Sequence, residues 1–166
     1  LADENGQYIS NTAFVDLNRQ NLLEIVRLSD NPILILGNTG TFDEFGIYPT
    51  SVIRQGNEVW AYYAGWTRCE SVPYNVAIGM AISKNDGEVF EKVGEGPLIS
   101  LFLDETMTII GPKIRKFNNK FYLFYVVGKK WIQGLIKPES IFKIRVAESD
   151  DGMNWIRYGK DIIENR

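Results

Sequence analysis

The chain has 166 residues, of which 45% are hydrophobic, 13% aromatic and 23% charged, and these proportions predict one folded domain rather than a disordered chain. Its formal net charge is −3 and no basic stripe is visible, so nucleic acid is not expected as a partner. The sequence contains no histidine, which excludes Ser–His and Cys–His catalysis and histidine-ligated metal sites, and its single cysteine, Cys69, excludes an intrachain disulfide.

Membrane association is not expected either. No apolar run reaches the roughly 20 residues of a membrane span, and no signal peptide is visible. The lone cysteine agrees with a reducing compartment, so we expect a cytoplasmic protein. We also expect no cofactor and no metal ion. The first residue is Leu1 rather than Met, so we expect a chain that is processed, tagged or excised.

Strand signals fill the chain, whereas helix signals are weak. The predicted strands are short, rich in aromatic and β-branched residues, and separated by Gly, Asn or Asp. Residues 55–57 and 118–119 have the composition of tight hairpin turns. In chain order, the predicted strands are residues 12–17, 22–28, 48–54, 58–65, 75–83, 89–93, 109–116, 120–127, 141–149 and 154–158.

The strands repeat along the sequence. Residues 59–63 match residues 121–125 at a shift of 62, and residues 78–83 match residues 144–149 at a shift of 66. Four strands in a period of about 65 residues indicate the blades of a β-propeller. We therefore predict an all-β fold in one partial propeller domain, with a half blade at residues 1–40, a blade at 41–100 and a blade at 101–166.

The turn that precedes the last strand of each blade carries its own pattern. Residues 83–90 fit the Asp-box pattern Ser-x-Asp/Asn-x-Gly-x-x-aromatic, and residues 149–155 repeat it one residue shorter. In such a turn, polar side chains satisfy backbone groups and the aromatic ring fills space between blades. We interpret both turns as marks of the fold rather than of a site.

Two acidic residues occupy equivalent positions in the repeat. Asp43 and Glu105 are 62 residues apart, and each lies several residues before the innermost strand of a predicted blade. Adjacent blades would direct both toward one funnel, and glycosidic bond cleavage uses two carboxyl groups on opposite sides of the bond. The alternative is that Asp43-Glu44 and Asp104-Glu105 are solvated loop acids, and the spacing leaves both interpretations open.

Aromatic residues cluster near the same end of the predicted blades. Trp66 follows the second strand of one unit, and Trp131 lies in the corresponding loop of the next, with Tyr48 and Tyr74 nearby. Rings in a cleft stack on sugar faces while polar groups bind the hydroxyls. The candidate substrate-binding residues are Trp66, Arg68, Tyr74, Asn75, Lys113 and Trp131.

Other aromatic residues lie inside predicted strands or turns, and blade-to-blade packing is the interpretation that we favour for them. They are Trp60, Tyr62, Phe90, Tyr122, Phe124 and Trp155. Direct ligand contact and packing remain equally open for Trp66 and Trp131.

Four segments together resemble five-bladed β-propeller proteins of the glycosidase superfamily. They are residues 40–51, 62–66, 72–79 and 137–139, within a likeness that runs from about Phe14 to Ile163. That superfamily includes arabinanases and xylosidases, invertases and levansucrases, and mannoside phosphorylases. The chain is most similar to uncharacterised glycosidase-like members found in bacterial sugar-biosynthesis settings.

The resemblance implies a central cleft lined by acidic residues from successive blades. By motif position, Asp43 and Glu105 resemble two of these acids, and a third is expected from a blade outside this chain. In a complete ring, we expect Asp43 to act as base or auxiliary acid and Glu105 as general acid. Hydrolases of the group use a base, an acid and an auxiliary Asp, whereas its phosphorylases use fewer acids and add basic residues for phosphate. The resemblance is poorly specific for reaction and substrate.

About two and a half blades are accounted for, although a five-bladed ring needs roughly 300 residues. We therefore expect either completion by missing blades or self-association, since two such chains would total five blades and exposed sheet edges favour association. The leading functional hypothesis is a carbohydrate-active propeller that binds a saccharide in its axial cleft. The alternatives are a non-catalytic module that binds saccharide or protein, and an inactive fragment of a larger glycosidase-like protein.

Overall fold

A computed structural model describes residues 8–163 of the chain. These residues form ten β-strands, and no helix is found among them. The described residues therefore offer no helix that could cross a lipid bilayer. The predicted all-β fold class is confirmed.

Three antiparallel sheets follow one another along the chain. Each four-stranded sheet runs in chain order from its first to its fourth strand, which is the arrangement of a propeller blade. The leading pair is β1 (Val15–Leu17) and β2 (Ile25–Leu28). The first blade contains β3 (Gly46–Gln55), β4 (Glu58–Arg68), β5 (Tyr74–Ser83) and β6 (Glu91–Lys92). The second blade contains β7 (Ile109–Phe117), β8 (Lys120–Gln133), β9 (Pro138–Ser149) and β10 (Ile156–Arg157).

The leading sheet corresponds to the outer half of a blade. Thr12, just before β1, bridges Leu34, in the same way that Ile78 on β5 bridges Ile99. By this match, β1 is equivalent to the third strand of a blade and β2 to the fourth. The domain boundaries at residues 40 and 100 stay predictions, and residues 1–7 and 164–166 of the predicted domain lie outside the described residues.

The hydrophobic core lies between the sheets. β5 is buried at six consecutive positions because the second blade covers one of its faces and the segment after β2 covers the other, whereas burial alternates near the end of β9, where the described residues cover only one face. One buried cluster joins the segment after β2 to the first blade, and a larger one joins the two blades. The first includes Leu34, Ile47, Tyr63 and Phe90, and the second includes Tyr62, Ile78, Ile114, Leu123 and Val127.

Turn residues follow the local chemistry of their positions. The two-residue turn between β7 and β8 places Asn118 and Asn119 at positive φ, 47° and 63°, a conformation that asparagine tolerates well. In the turn before β6, the Ser83 hydroxyl accepts a hydrogen bond from the Gly87 amide at 2.9 Å. The ring of Phe90 that follows is buried in the same cluster as Leu34, which lies in the segment after β2.

All ten predicted strands have a counterpart, but the hairpin of β8 and β9 is longer than predicted. It continues past a bulge between Gly128 and Lys130 until Gln133 pairs with Pro138. Lys129 and Lys130 interrupt the apolar alternation that marks a buried strand, so the exposed extension gives no sequence signal. Trp131 consequently lies within β8, and Trp66 lies within β4 rather than after it, so the loop positions predicted for both were wrong.

Candidate functional site

Asp43 lies in the segment that leads into β3, and it is fully buried. Its Oδ2 accepts a hydrogen bond from the Tyr63 hydroxyl on β4 at 3.0 Å and lies 2.5 Å from the Nζ of Lys92 on β6. Its Oδ1 accepts a hydrogen bond from the Thr41 hydroxyl at 3.0 Å. Burial and the adjacent Asp43 carboxylate raise the pKa of Tyr63, so the tyrosine remains a hydrogen-bond donor.

Glu105 occupies the same place in the second blade, and it too is buried. Its Oε1 accepts hydrogen bonds from the Tyr125 hydroxyl at 2.6 Å and from Nη1 of Arg145 at 3.0 Å. Its Oε2 accepts a hydrogen bond from Nη1 of Arg157 at 2.6 Å. Burial and the hydrogen bond to Glu105 raise the pKa of Tyr125.

Both blades therefore contain the same cluster of a carboxylate, a tyrosine and a cation, which we call the carboxylate clamp. In each blade the tyrosine follows the acid by 20 residues, and the cations Lys92 and Arg157 are 65 residues apart. The clamp ties the segment before the blade to its second and fourth strands. Among the described residues, the two acids share no hydrogen-bond partner, so each carboxylate is held within its own blade.

Besides the change from Lys92 to Arg157, the two clamps differ at a position on the third strand of the blade. In the second blade, Arg145 on β9 is almost fully buried and bonds Asp104 at 2.7 Å and Asp161 at 2.9 Å in addition to Glu105. Burial by itself lowers the pKa of Arg145, but its three carboxylate partners outweigh burial and raise it. The first blade has Gly79 at this position, where a Cβ atom would lie only 2.3 Å from the Cζ of Tyr63.

Sequence reasoning located the two acids but missed their tyrosine and cationic partners. The signal was present, because the shift of 62 residues that relates Asp43 to Glu105 also relates Tyr63 to Tyr125. Lys92 and Arg157 are harder to match, since the shift grows to 65 and the residue type changes.

Aromatic rings from both blades meet near the start of β3. Tyr74, the first residue of β5, contacts Trp131 on β8 edge to face, with ring centroids 5.6 Å apart and planes at 71°. Burial and the nearby Tyr74 raise the pKa of Tyr48 on β3. These three residues form the aromatic cluster. Tyr48 is 37% exposed, and Tyr74 and Trp131 are half-buried.

Trp66 and Arg68 lie instead around the ring of Phe45. The Arg68 guanidinium carbon is 4.0 Å from the Phe45 ring centroid, and the Trp66 ring is tilted against the same residue at 6.0 Å. The Nε1 of Trp66 also donates a hydrogen bond to the Ser10 hydroxyl at 3.3 Å. The structure thus gives both side chains packing contacts with the segment before β3.

The remaining predicted polar partners lie on different strands. The Oδ1 of Asn75 accepts a hydrogen bond from the Val76 amide at 2.8 Å, and Lys113 is exposed on β7. Of the predicted substrate-binding residues, Tyr74 and Trp131 are the two whose rings touch. Within residues 8–163, no three acidic or cysteine side chains are arranged as metal ligands.

Sequence comparison finds relatives that are longer than this chain. An uncharacterised protein of Mycobacterium tuberculosis is 30% identical over 132 residues, which are 80% of this chain and 43% of that protein. A β-1,2-mannobiose phosphorylase of Thermoanaerobacter sp. is 26% identical over 145 residues, covering 81% of this chain and 45% of the phosphorylase. The chain spans less than half the length of these curated relatives, and no family model matches it.

Solved structures of glycoside hydrolases superimpose on most of this chain. A glycoside hydrolase superimposes on 92% of this chain, and on 44% of its own, with a TM-score of 0.70 and 18% identity. A GH32 β-fructofuranosidase from Bombyx mori superimposes on 74% of this chain, and on 24% of its own, with a TM-score of 0.54 and 21% identity. The predicted resemblance to the five-bladed propeller glycosidase superfamily is thus confirmed, and the chain has the fold of part of such a propeller.

Proposed function

We propose that this chain forms the saccharide-binding part of a glycosidase-like propeller and that the sugar lies against the aromatic cluster. The observation that carries the proposal is the contact between Tyr74 and Trp131, which joins two blades at 5.6 Å. Rings held in place by each other lose little freedom when a ligand binds, and they present apolar surface to the C–H groups of a sugar. The relation to a mannobiose phosphorylase supports a saccharide as the ligand.

Calorimetric titration with manno-, gluco- and arabino-oligosaccharides tests this proposal. Replacing Trp131 by alanine removes one ring of the contact, and we expect about tenfold weaker binding, or roughly 1.4 kcal/mol. The matched control is Phe117→Ala, because Phe117 pairs with Tyr122 at 6.0 Å at the opposite end of β7 and β8. Equal affinities of the parent and Trp131→Ala would contradict the proposal, as would equal losses in both variants.

Catalysis by Asp43 and Glu105 stays a prediction. In a complete ring, Asp43 would serve as base or auxiliary acid and Glu105 as general acid. The burial of both side chains supports the alternative of binding without turnover, since a substrate must displace Lys92 or Arg157 to reach either carboxylate.

Turnover of aryl glycosides, with and without inorganic phosphate, distinguishes the two functions. If the acids are catalytic, Asp43→Asn and Glu105→Gln lose turnover while circular dichroism shows that they still fold. Equal turnover in the parent and in both variants would remove the two acids from the mechanism. Saccharide binding by a parent that turns over no glycoside would support the binding function.

A further inference from the structure

A cavity of about 330 Å³ lies beside β6, the outermost strand of the first blade, far along the sheet from the strand that carries Tyr48. Its walls are apolar at Leu34, Leu36 and Phe90. Polar groups line it at Asn38, Thr41 and Lys92. This volume falls at the lower end of the range for small-molecule sites.

The cavity exists because the segment between the leading sheet and the first blade is long. From the bridge residue Leu34 to Asp43 there are nine positions, whereas from Ile99, the equivalent bridge residue, to Glu105 there are six. The three extra residues form a turn closed by the Thr41 amide, which donates to the Asn38 carbonyl at 3.0 Å. Asn38 and Thr41 of this turn line the cavity together with Glu91 and Lys92 of β6.

The second blade fills the corresponding position with side chains. There the cation of the carboxylate clamp, Arg157, lies 4.4 Å from the ring centroid of Phe102 and donates to the carbonyl of Ser100 at 2.8 Å. In the first blade, residue 40 stands where the shift of 62 places Phe102, and residue 40 is glycine. The longer segment and the glycine at residue 40 therefore leave Lys92 bordering a cavity, whereas Arg157 packs against the ring of Phe102.

The charged side chains around the cavity favour a neutral ligand over an anionic one. The ammonium of Lys92 is neutralised by the buried Asp43 carboxylate, with which it forms an ion pair at 2.5 Å. Glu91 and Glu95 are exposed and line the same cavity, so the local charge is negative and disfavours phosphate or carboxylate ligands. Neutral hydroxyl groups can instead donate to these carboxylates, while the apolar walls accept C–H surface.

We propose that this cavity is a second ligand site of the chain and that it binds a neutral, hydroxyl-rich molecule of monosaccharide size. The site is separate from the aromatic cluster and does not depend on it. Asn38, Thr41 and Glu95 bind hydroxyl groups, and Leu36 and Phe90 pack against the carbon skeleton.

NMR titration of the full ¹⁵N-labelled chain with D-mannose, D-glucose and glycerol tests the proposal. We expect the amide signals of Ile35, Asn38 and Glu95 to shift on addition of at least one of these probes. In Ile35→Trp, a change at a residue that is 78% exposed, an indole at the cavity wall weakens the binding about tenfold. Asn38→Ala, which removes one amide, weakens the same shifts without adding bulk.

Trp131→Ala is the control that separates this site from the proposed saccharide site, because it leaves the shifts of Ile35, Asn38 and Glu95 unchanged. No shift of these amides with any of the three probes would overturn the proposal. Stronger shifts with inorganic phosphate than with the neutral probes would overturn the ligand class. Shifts confined to residues around Tyr74 would overturn the second site and leave the saccharide-binding function standing.

Discussion

The carboxylate clamp of the second blade predicts a large loss of stability when its charge is removed. Glu105→Gln keeps the size of the side chain but replaces the carboxylate that accepts hydrogen bonds from Tyr125, Arg145 and Arg157. The glutamine side chain can still accept a hydrogen bond through its oxygen. Its NH₂ group, however, faces another hydrogen-bond donor and finds no acceptor there. Removing one partner of a buried ion pair costs about 3–5 kcal/mol.

The expected cost lies below that range, because Arg145 keeps the carboxylates of Asp104 and Asp161 as partners. We expect the free energy of unfolding to fall by about 2–3 kcal/mol in Glu105→Gln. Urea denaturation followed by tryptophan fluorescence measures this quantity. The control is Asp150→Asn, since the Asp150 side chain is 89% exposed and its loss costs less than about 1 kcal/mol. Equal free energies in the two variants would refute the structural role of the clamp.

Two further predictions concern single residues. Gly79→Ala places a Cβ atom 2.3 Å from the Cζ of Tyr63, so we expect the free energy of unfolding to fall by about 1–3 kcal/mol. Gly94 has open space around it, so Gly94→Ala should leave this free energy unchanged. Thermal denaturation of both variants measures the difference. Hydrogen bonds from Asn154 and its neighbours lower the pKa of Asp151 in the folded protein. The stability that this carboxylate contributes is therefore complete above its ordinary pKa of about 3.9, and it is lost as the pH falls toward the lower pKa of the folded state. Between pH 5 and pH 2 the parent should therefore lose stability more steeply than Asp151→Asn, and parallel pH profiles would contradict this assignment.

The sequence was sufficient for the strands and their grouping. Buried strands such as β5 carry continuous apolar residues, and turns such as Asn118-Asn119 carry residues that tolerate positive φ. The extension of β8 beyond Gly128 was not predictable, since an exposed hairpin is held by its own backbone hydrogen bonds and needs no particular side chains. The ends of strands in exposed hairpins are therefore the part of this fold that is hardest to predict from the sequence.

The candidate site was predictable in position but not in environment. The repeat alone relates Asp43 to Glu105. A doubled acid such as Asp43-Glu44 has the composition of a solvated loop, yet its first carboxylate is buried and its second is not. Asp43 is paired because the strand register brings Lys92, on the fourth strand of the blade, to the segment that precedes the first strand. This register depends on strand pairing across the whole sheet.

The outer strand pair that leads the chain has a consequence for stoichiometry. Two copies of the described residues bring twenty strands together, the number that five four-stranded blades require. The kinds of strand do not match, however, because each copy contributes the pair β1 and β2, which are both outer strands. A dimer would thus hold six outer pairs and four inner pairs, whereas five four-stranded blades need five of each. Completion by missing blades and self-association both stay predictions, and closure by a second copy requires one leading pair to take the place of an inner pair.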